Sequence, residues 1–424
     1  MNSRVLRRFL RDDDGNLIVL FALALVPIIT LIGMTVDFSL SSKRKAMLDA
    51  YADSASLAAV TPALLSQNDN ASITAATNVF NAQASLVTGL TAITLAVTAT
   101  DSGLSRSVTV KYNTASKMMF GGLVGRSSVP LTGTSVALAS VPPNIDFYLL
   151  LDNSPSMAIA ATTSGINTMV ANTPDKCAFA CHESDTAPND YYGLARSLNV
   201  TLRMDLVSQA TQNLMTTAKT TGTATNAKYR AAIYTFNYGF NTITSVTSNL
   251  NAAKSQAANI NIYEVPYQNW NQDAITNYTD TMNSINSIMP VPGKGTNQSG
   301  DTPQEVLFFV TDGVQDQMVG GSRVQGPMDS SYCTTIKNRG IRIAVLYTTY
   351  LPLSLTDYPS GSPSWYAQYI AKFQPPAVTS DVIGTTLQNC ASGGLYYAVT
   401  TDGDISAALI NLFNSALATA HLTK

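Results

Sequence analysis

Histidine is scarce in this chain, with only His182 and His421 among 424 residues. A Ser-His-Asp or Cys-His catalytic set needs an imidazole beside its nucleophile. His182 follows a pair of cysteines and His421 lies near the C-terminus, so both are poorly placed for that task. The sequence also lacks a Gly-rich phosphate loop of the Walker type. We therefore expect a protein that is not an enzyme, with a metal-dependent hydrolase as the weaker alternative.

Charged residues are also few, at 12% of the chain, and the formal net charge is -2. Such a surface has no basic field to hold a nucleic-acid backbone, so we expect no nucleic-acid partner. Hydrophobic residues make up 45% of the chain, which indicates folded structure rather than disorder. The length is typical of two folded units, and the composition is typical of an extracytoplasmic protein.

The longest apolar run covers residues 17–36 and contains no charge. As a helix it is long enough to cross a hydrocarbon core of about 30 Å. It exceeds the apolar core of a usual signal peptide and shows no convincing A-x-A-like cleavage site, so we predict a retained single-pass anchor. Basic residues flank it with a small excess on the N-terminal side: Arg4, Arg7, Arg8 and Arg11 before it, then Lys43, Arg44 and Lys45.

This excess predicts that residues 1–16 are cytoplasmic and that the bulk of the chain is periplasmic, anchored in a bacterial inner membrane. Beyond the anchor, residues 37–142 first continue as an amphipathic helix whose apolar face contains Met47, Leu48, Tyr51, Ala52 and Ala55. Three segments with alternating apolar residues follow: 92–100, 106–112 and 128–140. They predict a small antiparallel sheet on the helix, which makes residues 37–142 a pilin-like α+β stem that ends at Pro142.

The N-terminal segment resembles the TadE/TadG-like proteins of the tight-adherence (Flp) pilus system. Gly15-Asn16 before the apolar run, Val36-Asp37 at its end and the Ala-rich helix beyond carry this resemblance. It implies a role in assembly, anchoring or regulation of the pilus, with other pilus-assembly components as partners. Type IV prepilins usually have Glu at the fifth position after the Gly, where this chain has Leu20. The rival prediction is a minor pilin or a surface-exposed pilus-tip adhesin. Retention of the N-terminal segment in the mature protein would count against this rival.

Residues 145–424 change to a pattern of strands alternating with helices. Apolar runs predict buried strands at 145–152, 229–237, 304–313 and 340–350, and amphipathic segments predict helices at 204–219 and 404–420. This alternation is typical of an α/β fold in which helices flank a doubly wound, mainly parallel sheet.

Two of the predicted strands end in an acidic residue, Asp152 and Asp312. Ligands of open α/β sheets bind outside the carboxyl ends of the strands, so we expect the two carboxylates to share one site. Ser154 and Ser156 follow the first strand and add two hydroxyl oxygens. An oxygen-only set of this kind suits Mg²⁺, with Mn²⁺ or Ca²⁺ as the other candidate ions.

The arrangement D-x-S-x-S after one strand and TDG after another resembles the metal-ion-dependent adhesion site of von Willebrand factor A domains. The resemblance implies that a Thr from a separate loop completes the site and that a carboxylate of a partner protein binds the ion. Thr276 in TNYTDTM is our prediction, with Thr279, Thr296 and Thr302 as alternatives. The other interpretation is an A domain without a metal, in which Asp152 and Asp312 only cap turns and helices.

The four cysteines occur at positions 177, 181, 333 and 390. An even number beyond a membrane span is typical of an oxidising compartment, and the spacing favours pairs Cys177–Cys181 and Cys333–Cys390. In CAFACH the histidine follows the second cysteine, but the spacing differs from the haem motif C-x-x-C-H, so we predict a disulfide loop. Aromatic residues in VPYQNWNQ (265–272) and SPSWYAQYI (362–370) are candidates for a partner surface.

Overall fold

The computed structural model describes residues 14–349, 369–400 and 402–420, and the chain divides into two compact units, Met1–Val141 and Pro142–Lys424. Several residues used above lie outside this described part: Arg4, Arg7, Arg8, Arg11, His421 and all but the last two residues of segment 362–370.

The N-terminal unit begins with one long helix, α1, at Asp14–Ala58. The apolar run and the amphipathic stretch are continuous in this helix, and Pro27 lies inside it. Its N-terminal part is long and apolar enough to cross a membrane. A short helix α2 at Pro62–Leu65 and a longer helix α3 at Asp69–Ala84 follow, and the side chain of Asn68 caps α3. We had not predicted α3 as a separate element.

A three-stranded antiparallel sheet completes this unit, which confirms the predicted α+β stem. Its strands are β1 at Thr94–Ser102, β2 at Ser105–Lys117 and β3 at Ser128–Ser140, in the order β1-β2-β3. Because side chains alternate along a strand, β2 buries every second residue against the helices. The shared core contains Leu48, Ala52, Ala55, Phe80, Val108, Val110, Tyr112 and Leu131.

The C-terminal unit contains a six-stranded sheet. Its strands are β4 at Ile145–Asp152, β5 at Tyr229–Phe236, β6 at Phe240–Thr247, β7 at Gln304–Thr311, β10 at Arg342–Thr348 and β11 at Tyr396–Val399. The order is β11-β10-β7-β4-β5-β6, and only β6 runs antiparallel to its neighbour. The predicted α/β fold is confirmed, because β4 lies at the centre and the chain winds outward on both sides of it.

Helices cover both faces of this sheet. In chain order they are α4 at Thr163–Asn172, α5 at Tyr191–Ser197, α6 at Arg203–Thr225, α7 at Leu250–Ala257, α8 at Tyr278–Ile288, α9 at Ser331–Asn338, α10 at Val382–Cys390 and α11 at Ile405–Thr419. Leu149 and Leu151 point into one core and Tyr148 and Leu150 into the other. Burial on both faces explains why the central strands are apolar at almost every position.

A hairpin that we did not predict follows β7 directly. It consists of β8 at Val314–Val319 and β9 at Ser322–Pro327, joined by Gly320 and Gly321. Both glycines have positive φ, which the tight two-residue turn of a hairpin requires.

The cysteine pairing predicted from the sequence is half right. Cys333 in α9 and Cys390 in α10 form a disulfide, as predicted. The other predicted pair is wrong, because Cys177 and Cys181 are free thiols. The Sγ atom of Cys177 instead contacts the backbone of Phe179, whose segment forms a β-bridge with Ile159. Burial raises the pKa of the Cys177 thiol to about 11, which keeps it protonated at neutral pH.

Replacing Cys333 and Cys390 together with Ala should lower the free energy of unfolding by about 2–4 kcal/mol, because their disulfide joins residues 57 positions apart and restricts the unfolded chain. Thermal unfolding with and without a thiol reductant measures this. The reductant should destabilise the natural protein and leave the double variant unchanged. A double variant as stable as the natural protein would contradict the expectation.

Candidate functional site

The carboxyl ends of β4 and β7 meet at one edge of the sheet. The two strands are parallel neighbours in which Leu151 pairs with Val310, so Asp152 and Thr311 end them side by side. Asp312 is the next residue, and both aspartates are fully buried. The structure thus places the two predicted acidic residues at the same edge of the sheet.

The carboxylate of Asp152 is held by neutral donors. The Oδ1 atom accepts hydrogen bonds from Ser154 Oγ at 2.6 Å and from the Ser154 backbone N–H at 3.0 Å. The Oδ2 atom accepts from Thr311 Oγ1 at 2.7 Å. Across the part of the chain that the structure describes, no Lys or Arg forms an ion pair with Asp152.

Burial, together with the nearby negative charge of Asp312, raises the pKa of Asp152 to about 7. The hydrogen bonds from Ser154 and Thr311 oppose this shift but do not cancel it. Two buried carboxylates beside one another are costly when both are ionised, since each is removed from water and faces a like charge. A cation between them would remove this cost.

The hydroxyl groups of Ser154 and Ser156 lie beside this carboxylate. Their Oγ atoms are 3.0 Å apart, and Ser154 Oγ is 2.6 Å from Asp152 Oδ1. In octahedral Mg²⁺ sites with Mg–O distances of 2.0–2.1 Å, neighbouring ligand oxygens are about 2.9 Å apart. The spacing of these oxygens and their hard-ligand chemistry therefore fit a bound Mg²⁺. Ser154 is fully buried, whereas Ser156 is partly exposed, so the site is open on the side of Ser156.

Thr276 lies on the neighbouring loop, just before α8. Its backbone forms a β-bridge with Asp316 of the hairpin, with N···O distances of 2.7 and 3.0 Å. Two residues later, the Tyr278 hydroxyl is hydrogen-bonded to Thr311 Oγ1. The structure thus brings the Thr276 loop to the ends of β4 and β7, and Thr276 itself is 4% exposed.

The other candidate threonines have different surroundings. The Oγ1 atom of Thr279 accepts hydrogen bonds from Gln317 Nε2 at 2.8 Å and from the Tyr332 hydroxyl at 3.2 Å. Thr296 and Thr302 precede β7, at the opposite edge of the sheet, where both are tied to Asp301. The structure brings neither Thr296 nor Thr302 to Asp152.

Thr311 and Tyr278 are parts of the site that the sequence analysis missed. Thr311 Oγ1 donates to Asp152, accepts from the Gly313 N–H at 2.9 Å and is hydrogen-bonded to Tyr278. Because the Thr311 proton points to Asp152, Tyr278 is the donor in this last bond. The signal was visible in the sequence, since Thr311 directly precedes Asp312 in VTDG.

Asn153 and Asn237 connect the loops around the site. The side chain of Asn237 donates a hydrogen bond to Asn153 Oδ1 at 2.9 Å. The backbone carbonyl of Asn237 accepts one from the Asn277 N–H at 2.9 Å. Asn153 Nδ2 donates to the Asn261 carbonyl at 2.9 Å. These bonds hold the loops after β4 and β5 and the loop before α8 against each other.

Aromatic residues surround the loop that is tied to Asn153. The Tyr263 N–H donates to the Asn153 carbonyl at 2.8 Å. The ring of Trp270, from the predicted aromatic segment 265–272, packs against Tyr238 and Tyr263 with ring centroids 4.9 and 6.4 Å apart. Tyr238 and Tyr267 are about half exposed. Part of the predicted aromatic surface therefore lies next to the candidate site.

His182 has a structural environment instead of a metal-binding one. Its Nδ1 atom is 2.5 Å from Asp190 Oδ2, and its ring stacks on Tyr192 with centroids 4.4 Å apart. Among the described residues, no group of three or more His, Cys, Asp or Glu side chains has metal-binding geometry. The candidate site is of a different kind, because two of its candidate ligands are serine hydroxyls.

Comparison with known proteins gives one family match, to the TadE/G-like family of Flp pilus-assembly proteins, over residues 15–63. The match covers the apolar run and the amphipathic part of α1, the segment whose resemblance we described from the sequence. No curated protein matches the chain.

Several solved structures are similar to about two thirds of this chain. They include the von Willebrand factor domain of the type V pili tip protein Mfa5 from Porphyromonas gingivalis, at 10% identity and TM-score 0.37, covering 67% of this chain and 98% of that one. BatB from Bacteroides thetaiotaomicron has 15% identity and TM-score 0.33, with 65% and 100% coverage. Proximal thread matrix protein 1 from the mussel byssus, with a zinc-occupied MIDAS motif, has 12% identity and TM-score 0.33, with 65% and 46% coverage.

The α/β architecture of the C-terminal unit is established by its own strand order and helices. The chain combines an N-terminal segment that matches the TadE/G-like Flp pilus-assembly family with a C-terminal α/β unit built on a six-stranded, mainly parallel sheet.

Proposed function

We propose that this protein is a membrane-anchored component of a tight-adherence pilus that binds a partner protein through a divalent cation. In this proposal α1 crosses the inner membrane and the C-terminal unit lies in the periplasm. Asp152, Ser154, Ser156, Thr276 and Asp312 hold Mg²⁺ or a similar ion, directly or through water. A carboxylate of the partner then occupies the open coordination position.

The observation that carries this proposal is the pair of buried carboxylates at the ends of β4 and β7. Asp152 has no basic side chain as an ion-pair partner in the described part of the chain, and two serine oxygens stand at the spacing of Mg²⁺ ligands beside it. Burying the Asp152 carboxylate without a cationic side chain beside it is costly to the fold, and a bound cation would offset that cost.

A partner surface is available beside the ion. Tyr238, Tyr267 and Trp270 flank the loop that Asn153 holds in place, and exposed aromatic side chains often anchor protein interfaces. The proposed contact therefore consists of an ion-bound carboxylate next to an aromatic patch.

The role in a pilus system is inferred from the N-terminal match and from the helix that is long enough to span a membrane. The same cation site would serve an adhesin at a pilus tip. The location of the mature protein, in the inner membrane or in the filament, separates these two roles.

We propose that the cation site binds a partner protein and does not catalyse a reaction. The hydroxyl and carboxylate groups of the site are engaged with one another, and the described histidine, His182, is bonded to Asp190 elsewhere in the unit. Among the described residues, the hydrogen-bonded group around Asp152 thus contains no histidine to act as general base for a metal-bound water.

Calorimetric titration of the full-length protein with Mg²⁺ and Mn²⁺ tests the cation site. We expect saturable binding, and we expect Asp152→Asn to weaken it more than about tenfold because a carboxylate ligand is lost. The matched control is Asp301→Asn, which alters a hydrogen-bonded aspartate at the opposite edge of the sheet and should bind normally. Equal binding by all three proteins, or by none, would contradict the proposal.

Cation binding should weaken as the pH falls below about 7, because the raised pKa of Asp152 makes the ion compete with a proton. The stability of the metal-free protein should change in the opposite direction. A raised carboxylate pKa favours folding at low pH, and this contribution is lost as the pH rises through 7.

Without metal, thermal unfolding should therefore show a loss of about 2 kcal/mol between pH 5 and pH 8 from this residue. Asp152→Asn should remove this part of the pH dependence. If the free energy of unfolding of that variant depends on pH as it does in the natural protein, a group other than Asp152 titrates and the expectation is contradicted.

Thr276 and Thr279 can be distinguished by parallel substitution. Thr276→Val should lower cation affinity by about tenfold, since it removes a ligand or water-bridging hydroxyl. Thr279→Val should leave affinity nearly unchanged, because its hydroxyl is bonded to Gln317 and Tyr332. The same titration measures both, and the reverse ranking would assign the site to Thr279.

A further inference from the structure

The loop between β2 and β3 exposes a cluster of large apolar side chains. We call residues 118–126 the apolar loop. Met119 is 75% exposed, Leu123 is 63% exposed, and Phe120 and Val124 are also exposed. Their positions within one short loop make a continuous apolar patch, and such patches mark surfaces that contact another apolar phase.

The apolar loop is fastened to helix α1. The buried carboxylate of Asp37 accepts hydrogen bonds from the backbone N–H groups of Met119 and Phe120, both at 2.8 Å. The Phe120 ring lies against Gly33, where an added Cβ would be 2.5 Å from a ring carbon. The glycine thus permits close packing of the loop on the helix, and Asp37 holds its backbone.

This attachment point coincides with the end of the apolar run of α1. Gly33 lies three residues before Val36, the last residue of the run, and Asp37 directly follows it. The helix exposes Leu31, Ile32 and Phe38 in the same turns. At a rise of about 1.5 Å per residue, the residues from Leu17 to Val36 span about 30 Å, so the loop stands where the helix leaves the hydrocarbon core.

Basic residues border the apolar loop on the side away from the apolar run. Lys117 directly precedes the loop, Arg126 is its last residue, and both are exposed, as is Lys43 on the helix. Arg44 donates to Ser116 Oγ at 2.8 Å and to the Lys117 carbonyl at 3.2 Å, which ties helix and strand together at this level. Apolar side chains with cationic groups directly behind them match the boundary between acyl chains and phosphate head groups.

We propose that the apolar loop inserts into the lipid surface at the point where α1 leaves the membrane. The inference rests on the proposed membrane anchor and adds a second, independent contact with the bilayer. The N-terminal unit is then held at two points, by a helix that spans and a loop that lies in the interface. Its sheet therefore has a defined orientation on the membrane and does not swing on a single helix.

Fluorescence quenching by brominated lipids tests this in the full-length protein, reconstituted in vesicles of neutral and anionic phospholipid. Both natural tryptophans, Trp270 and Trp365, are replaced by Phe, and a single Trp is introduced by Leu123→Trp. We expect this Trp to lose most of its emission with lipids brominated in the acyl chain and to emit at shorter wavelength.

Two matched variants in the same background make the result decisive. Leu138→Trp alters a similarly exposed leucine, 71% against 63%, toward the far end of β3, and it should not be quenched. Leu31→Trp alters an exposed leucine within the apolar run and should be quenched.

If Leu31→Trp is quenched and Leu123→Trp behaves like Leu138→Trp, the loop does not enter the lipid and the inference is overturned, while the membrane anchor stands. If Leu31→Trp is itself unquenched, the anchor proposal fails and the loop proposal fails with it. If Leu123→Trp is unquenched but shielded from aqueous iodide at high protein density, a second copy of the chain covers the loop, which also overturns the inference.

Discussion

The parallel pairing of β4 with β7 is the constraint on which the candidate site depends. Both strands are buried at every position, so their mutual register is set by packing on two faces as well as by hydrogen bonds. That register ends both strands at the same edge and leaves Asp152 and Asp312 side by side without access to water. The charge imbalance at the edge follows directly from this pairing, and it supports the proposal of a bound cation.

The polar groups around the edge divide into two sets. Ser154, Ser156 and the Asp152 carboxylate are hydrogen-bonded to one another. Thr311, Tyr278 and the Asn153–Asn237 pair instead connect this group to the surrounding loops. A site assembled from separate loops keeps its geometry only when such bonds hold the loops together, because loop backbones are otherwise mobile.

In the N-terminal unit a single helix has two environments. Its C-terminal half buries Leu48, Ala52 and Ala55 against the sheet, whereas its N-terminal half exposes almost every apolar side chain. The change occurs at Gly33 and Asp37, where the apolar loop packs onto the helix. Exposed apolar surface on both helix and loop at one level is difficult to reconcile with water as the only solvent of this unit.

Much of this could be read from the sequence, because it depends on local patterns. Continuous apolar runs predicted the buried strands, alternation predicted the small sheet, and an uncharged run predicted the long apolar helix. Asp152, Ser154 and Ser156 were recognisable because they are neighbours in the chain after a strand. The Gly-Gly turn of the hairpin and Thr311 were also visible but overlooked.

Only the tertiary structure decided which distant residues meet. It placed Thr296 and Thr302 at the edge of the sheet opposite Asp152, left Cys177 and Cys181 without a disulfide, and joined Asp37 to the apolar loop. These outcomes depend on contacts between segments far apart in the chain, on which local spacing carries no information.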